Sequence, residues 1–385
     1  MFLLTEEQIR LKKEIRTFVD REIKPRAMEL DRSGEYPRDL VRRVGELGYC
    51  ALPFSPEFGG NGLGALEGLI FIEEISRGLA SLGLIFCAHM FQCCYALADG
   101  ISERQSRDWF KPSIACDKLL AFALSENSGG SDALGIDTIA TRTHEGWSLS
   151  GSKVWITNAS VADGYIVGAR TTVNSRNRDV SLFYVDANSP GLEASEREKL
   201  IGLNNSPTGC VRFNNCTIPA DAIIGNENDG YKLIKNALNC GRLALAAVAI
   251  GIAQDAMELA LKFSGERGNF GRAIASYQGV SFPIAEMYTN ISLARNMLYH
   301  AADLAGSGGR STMEIAALKL FSTEMCQEVC RQSVLIHGGR GYSKDYDAER
   351  LLRDSQLLTT AEGTSQICKI VISNGLFNSS PEQYQ

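Results

Sequence analysis

Trp147-Ser148-Leu149-Ser150, Tyr165-Ile166-Val167-Gly168-Ala169 and Val180-Ser181-Leu182-Phe183-Tyr184-Val185 decide the fold class. These runs are short, rich in β-branched and aromatic residues and separated by turn residues, which predicts strands. The character holds from about Leu119 to Gly225, so an antiparallel, β-barrel-like domain is expected there. Within it, Asn174-Ser175-Arg176-Asn177-Arg178-Asp179 reads as a hairpin loop and not as a basic binding patch.

On either side the periodicity becomes helical. Thr5-Glu6-Glu7 supplies a cap with acidic residues at the positive end of a helix dipole, and Leu11, Ile15, Phe18, Val19 and Ile23 follow as an apolar stripe. Gly59-Gly60-Asn61-Gly62-Leu63-Gly64 interrupts the pattern before a second helical stretch, Ala65 to Ala98. Because that glycine run lies between helices and not after a buried strand, it reads as a linking turn, not a dinucleotide fingerprint. After the β region come helical runs over Leu233–Phe263, Tyr277–Leu304 and Ser311–Ile336, with a turn at Gly306–Gly309 and a last helix after Glu362. The chain is therefore read as an α+β multidomain protein: an α-helical N-terminal domain over 1–118, a β middle domain over 119–228 and a C-terminal four-helix bundle over 229–385.

A chain of 385 residues is longer than one hydrophobic core serves, in keeping with several domains. The net charge of -6 lacks the basic excess that a phosphate backbone demands, so no nucleic-acid partner is expected. No basic segment opens the N-terminus and no span reads as long enough to cross a bilayer, so no membrane partner is expected and a cytoplasmic location is. Eleven cysteines without an export signal predict reduced thiols. With no zinc-type pairing and four histidines, no metal is expected. P-loop, GxSxG and HExxH motifs are absent.

Seven segments follow one another along almost the whole chain: Pro56-Glu57-Phe58-Gly59-Gly60, Leu124 to Asp132 (Leu-Ser-Glu-Asn-Ser-Gly-Gly-Ser-Asp), Gly151 to Asn158 (Gly-Ser-Lys-Val-Trp-Ile-Thr-Asn), Glu266 to Gly271 with Gln278, His337 to Tyr342, Glu349 to Asp354, and Glu362-Gly363-Thr364. In that order they resemble the acyl-CoA dehydrogenases. The resemblance implies an FAD-dependent enzyme that desaturates an acyl thioester, a carboxylate removing the α proton while the β hydrogen leaves as hydride to the flavin. It makes Glu362 the base, its backbone amide a donor to the thioester carbonyl, and Gly363 the point of close approach. A rival base position, immediately before an arginine in the first C-terminal helix, is Gly241 here and cannot take a proton. From residues alone, Glu362 also reads as an N-terminal helix carboxylate.

The resemblance further matches Phe122, Leu124, Ser125, Gly130, Ser131, Trp155, Thr157, Thr364 and Gln366 to the flavin, although Trp155 by pattern alone reads as core. It matches Ser131, Asn239, Arg242 and Gly363 to the substrate. Arg267, Asn269, Phe270 and Gln278 match positions reaching the diphosphate and adenosine of FAD held by a neighbouring subunit, which implies a homodimer or homotetramer, and Gly338 and Gly339 match glycines that let the backbone approach the cofactor; read alone, the segment around Arg267 is a solvated helix end. Three departures stand out: Leu335 where a glutamine is usual, Cys368-Lys369 where Gln-Arg is usual, and Ala361 where an aromatic residue often precedes the base, which leaves room for a bulky acyl group. Arg350, Arg353 and Asp354 are expected to form an ion-pair network, and His337 a cap or core contact. The substrate carrier stays open between CoA and a carrier protein bearing an acyl or aminoacyl group such as prolyl, and the electron acceptor between an electron-transfer flavoprotein and oxygen. A non-catalytic acyl-binding protein is the third reading.

Overall fold

Thr5 opens the first helix by accepting from the Gln8 amide at 3.2 Å, while the Gln8 side chain accepts from the Thr5 amide at 2.9 Å, so two otherwise orphaned donors are satisfied reciprocally. A computed structural model describes residues 3–133, 135–171, 179–306 and 312–378. The hairpin expected at 174–179 lies, but for Asp179, outside the described residues, as does most of the 306–309 turn.

The N-terminal helices are α1 (Glu6–Phe18), α2 (Ala27–Ser33), α3 (Arg38–Glu46), α4 (Ala65–Gly78) and α5 (Ala80–Phe86). The last continues through a widened π turn, Cys87–Cys94, into α6 (Tyr95–Ala98), followed by the short α7 (Glu103–Gln105) and α8 (Lys111–Ile114). Eight strands follow: β1 (Leu120–Ala123), β2 (Ile139–Arg142), β3 (Gly146–Thr157), β4 (Gly164–Arg170), β5 (Val180–Asp186), β6 (Leu192–Ala194), β7 (Thr208–Pro219) and β8 (Ile223–Ile224). Their order is β6-β7-β3-β2-β4-β5-β8, with β1 beside β4. Most pairings are antiparallel as expected, but β1 runs parallel to β4, Leu120 facing Gly164, and β2 meets β4 in parallel at Ile139 and Arg170. Parallel neighbours need a long crossover, and the segment from Leu124 through the β2–β3 hairpin supplies it.

The chain ends in α9 (Gly230–Glu266), α10 (Gln278–Gly306), α11 (Thr312–His337), α12 (Asp347–Ser355) and α13 (Ser365–Asn378). One apolar core joins the two helical blocks: Ile15, Phe71 and Phe86 pack in the same cluster as Leu245, Ile250 and Leu318. Small residues on α9 allow this, since a β carbon on Gly251 would lie 2.2 Å from the Glu73 carbonyl oxygen of α4. A separate cluster fills the sheet around Trp147, Phe183 and Val211. Arg353 ties α12 to the N-terminal block through Asp31 at 2.6 Å and holds Glu349, while Arg350 donates to Asp347, the network expected of this segment. His337 bonds the Ser333 carbonyl at 2.7 Å and stacks on Phe263, the structural service expected of it.

Two expectations are corrected. Ala80–Ala98 and Gly230–Glu266 are both long and apolar enough to cross a bilayer, with mean hydropathies of 1.5 and 1.6. Their windows are 94% and 83% buried in protein, so here the apolarity serves the shared core. Cys50 and Cys116, 66 residues apart, are joined as a disulfide, so not all eleven thiols are reduced. Counting cysteines does not reveal that the chain after α3 and the chain after α8 meet. His89 lies beside these sulfurs, but its Nε2 reaches the Ser113 carbonyl at 2.9 Å and its Nδ1 accepts from the Leu120 amide at 3.1 Å, so no ring nitrogen is left for an ion. Burial pushes this imidazole down to about 4, keeping it neutral.

Candidate active site

Glu362 and Gly363 both adopt left-handed backbone, with φ of 55° and 88°, just before α13. A non-glycine residue held in this region costs about 1–3 kcal/mol and persists only where its surroundings over-determine it. Two buried cations do so here. Arg242 of α9 donates from Nε to the Glu362 carbonyl at 3.1 Å, and Lys319 of α11 donates to the Gly363 carbonyl at 2.7 Å. Thr364 then caps α13 by accepting from the Ile367 amide at 3.2 Å. The Glu362 amide has no acceptor among the described residues.

The Glu362 carboxylate projects toward α9 and the π turn. Gln92 of that turn donates from Nε2 to both carboxylate oxygens at 2.9 Å. A β carbon on Gly241 would lie 2.5 Å from Oε2, so this glycine makes room for the carboxylate, beyond being unable to serve as a base itself. Burial pushes the Glu362 carboxyl up to about 7, against the opposing pull of Arg242, Lys319 and Gln92. Such a group exchanges protons near neutral pH, as a general base requires.

Across a cavity of about 670 Å³ stands the wall formed by the sheet domain. The β3–β7 register slips between Lys153 and Ile156, and at this bulge Trp155 takes a φ of 59° and turns its indole outward, 65% exposed. A bulge re-aims a side chain in this way. The Ser125 carbonyl accepts from the Val154 amide at 2.9 Å, bringing the 124–131 loop alongside Trp155. Beneath, Lys153 is fully buried and donates to Glu126 at 2.6 Å and to the Leu124 carbonyl at 3.1 Å. Glu126 also accepts from Thr138 Oγ1 at 2.6 Å and from the Thr138 amide at 3.0 Å, so the start of the loop is anchored to both β3 and the chain entering β2.

Of the residues the sequence singled out, Phe122, Leu124, Ser125, Gly130, Ser131, Trp155, Thr157, Arg242, Glu362, Gly363 and Thr364 line this one cavity. Asn239 does not; it holds the Arg242 guanidinium at 3.0 Å and reaches Thr312 at 3.2 Å. Arg267, Asn269, Phe270, Gln278, Gly338, Gly339 and Gln366 lie exposed and away from it. Phe270, 88% exposed, sits at the tip of a small hairpin between Gly268–Asn269 and Arg272–Ala273. Sequence reasoning missed Gln92, Lys319 and the Lys153–Glu126 pair. The one signal for Gln92 was a lone amide in the apolar run Met90 to Cys94.

The donor set fits a flavin. A large indole exposed at a cavity wall is suited to cover a planar ring, and the hydroxyls of Ser125, Ser131 and Thr157 are suited to its polar edge. A base on one side and a ring-binding wall on the other leave a slot in which a substrate carbon can lose a proton toward Glu362.

Comparison with known proteins agrees with this geometry. The chain matches the family models for the acyl-CoA dehydrogenase N-terminal domain over residues 5–117, the middle domain over 121–216 and the C-terminal domain over 228–377. It is 36% identical over 373 residues to an acyl-CoA dehydrogenase of Bacillus subtilis, covering 97% of this chain and 98% of that protein. It is 33% identical over 376 residues to a short-chain specific acyl-CoA dehydrogenase of Clostridium acetobutylicum, covering 98% and 99%. The solved butyryl-CoA dehydrogenase from Megasphaera elsdenii superposes with a TM-score of 0.96 at 31% identity, covering 98% of this chain and all of that one.

Proposed function

This chain belongs to the acyl-CoA dehydrogenase family of FAD-dependent oxidoreductases, and from that premise we propose that Glu362 takes the α proton of an acyl-CoA thioester lying between it and Trp155. Bound FAD supplies the acceptor for the β hydrogen, taken as hydride. Ser125, Ser131, Thr157 and Trp155 would hold its ring, with Phe122, Leu124 and Gly130 shaping the floor. The free Glu362 amide would donate to the thioester carbonyl and stabilise the negative charge that grows there as the α proton leaves. Arg242 and Lys319 keep that amide aimed by holding the carbonyls of Glu362 and Gly363.

The observation that carries this reading is a carboxylate that faces a ring-binding wall across one cavity, with its oxygens held by Gln92 and its backbone by Arg242 and Lys319. Anaerobic mixing of the FAD-loaded protein with a panel of straight-chain acyl-CoA thioesters tests it. Wild type is expected to bleach its flavin with at least one of them, and Glu362→Gln with none; equal bleaching by the variant would falsify the role.

The same reading divides the chain into domains at 1–118, 119–228 and 229–385, supported by the end of α8 at Ile114 and the start of α9 at Gly230. It gives the exposed Arg267, Asn269, Phe270, Gln278, Gly338 and Gly339 to the FAD of a neighbouring copy, in a homodimer or homotetramer. It makes an electron-transfer flavoprotein the acceptor, in keeping with a relative that is a subunit of such a complex. A cytoplasmic location belongs to the same reading; the burial of both long apolar helices accounts for their apolarity without a membrane.

A further inference from the structure

We propose that Gln92 is a positioning residue for the reaction, aiming the Glu362 carboxylate and favouring its ionised form through an amide that bridges both carboxylate oxygens. This rests on the reading of Glu362 as the base. Gln92 is 7% exposed in the π turn between the buried Phe91 and Cys93, and it lines the same cavity. A buried amide without a partner is costly, so its placement against Glu362 satisfies both groups. A carboxylate only accepts, which fixes the amide with its N–H groups toward Glu362.

Among the described residues, Gln92 alone donates to the carboxylate oxygens. The charged and titratable groups facing Glu362 are Arg242 from α9, Lys319 from α11, and the Cys87 and Cys93 thiols from the π turn. Arg242 directs its hydrogen bonds to the Glu362 carbonyl and Asn239, and Lys319 to the Gly363 carbonyl, so both act on the carboxylate only through their field. Burial pushes both thiols up, leaving them neutral. Gly241 makes the arrangement possible, because a β carbon there would meet Glu362 Oε2 at 2.5 Å and Gln92 Cγ at 3.1 Å.

When the α proton arrives on one carboxylate oxygen, the bridge across both oxygens is lost. Gln92 therefore favours the ionised reactant form and opposes the upward push of burial on the base. Two variants separate this role from simple packing. Gln92→Met keeps the shape and removes the donor, and Gln92→Asn keeps the amide but withdraws it by one methylene. Each FAD-loaded protein is mixed anaerobically, across a range of pH, with the straight-chain acyl-CoA that bleaches wild type fastest.

In both variants the acidic limb of the limiting bleaching rate is expected to move up by about one pH unit, with flavin content and apparent substrate affinity little changed. A limb that stays at the wild-type pH in either folded variant overturns the proposal. Glu362→Gln run alongside separates the two failures. If that variant bleaches like wild type, the base assignment itself is wrong; if it fails to bleach while the limb stays put, only the role of Gln92 is.

Discussion

At Gly241 the absence of a side chain decides where a carboxylate can sit. Adding one methyl in Gly241→Ala puts a β carbon 2.5 Å from Glu362 Oε2 and 3.1 Å from Gln92 Cγ, so the carboxylate must leave its place beside Gln92. A misplacement of about 1 Å costs on the order of a hundredfold in rate, so flavin reduction is expected to slow by about that factor while FAD content holds. Rapid-mixing absorbance checks both. The Glu362 carboxyl also makes stability depend on pH. Its folded value near 7 lies above the 4.5 of an unperturbed glutamate, so its contribution to stability is fully present below about 4.5 and is lost as pH rises through about 7. Glu362→Gln removes that loss, and its gain in melting temperature over wild type is expected to be larger at pH 8 than at pH 5 in calorimetry. Glu362, the proposed base, was singled out in the sequence through the segment it shares with a family. Two of the groups that hold this segment were not: Gln92 lies 270 positions from Glu362 and Lys319 44 positions from Gly363, a proximity that only the packed helices create, while Arg242 had been matched to the substrate and not to the Glu362 carbonyl.

The strands were legible as elements because their runs are rich in β-branched and aromatic residues and are cut by turn residues; Tyr165 to Ala169 and Val180 to Val185 are buried on both faces. The bulge in β3 was not, since it arises from a register slip against β7 that local sequence does not encode. Lys153 shows the same limit. A lysine in a strand reads as exposed, yet this one is fully buried, with burial pushing its ammonium down to about 8 against the pull of Glu126. Replacing one partner of a buried pair leaves the other charge uncompensated, at a cost of about 3–5 kcal/mol. Lys153→Met is therefore expected to lower the melting temperature and weaken FAD retention, because Glu126 would lose its cation and the 124–131 loop one of its anchors. Thermal unfolding with and without added FAD measures both, and wild-type retention of flavin would show that the loop stands without the pair. The long C-terminal helices were read from their period to within a few residues. The N-terminal block was harder, because its π turns and brief helices break the period that marks longer elements.

Taken as a whole, the molecule is closed by contacts between distant parts of the chain. The Cys50–Cys116 bridge spans 66 positions and is expected to add about 2–4 kcal/mol. Titration of the unfolded chain should find nine thiols before reduction and eleven after it; eleven at the outset would show the pair unbridged. The shared core has a further consequence, for synthesis on the ribosome. The run Ala80–Ala98 emerges early, but α9, whose residues complete the core around it, is finished only at Glu266. At about 5–20 residues per second the nascent chain must carry an uncovered apolar helix for roughly 10–30 s. During that interval the N-terminal block exposes apolar surface that the finished fold buries, the kind of surface that chaperones cover.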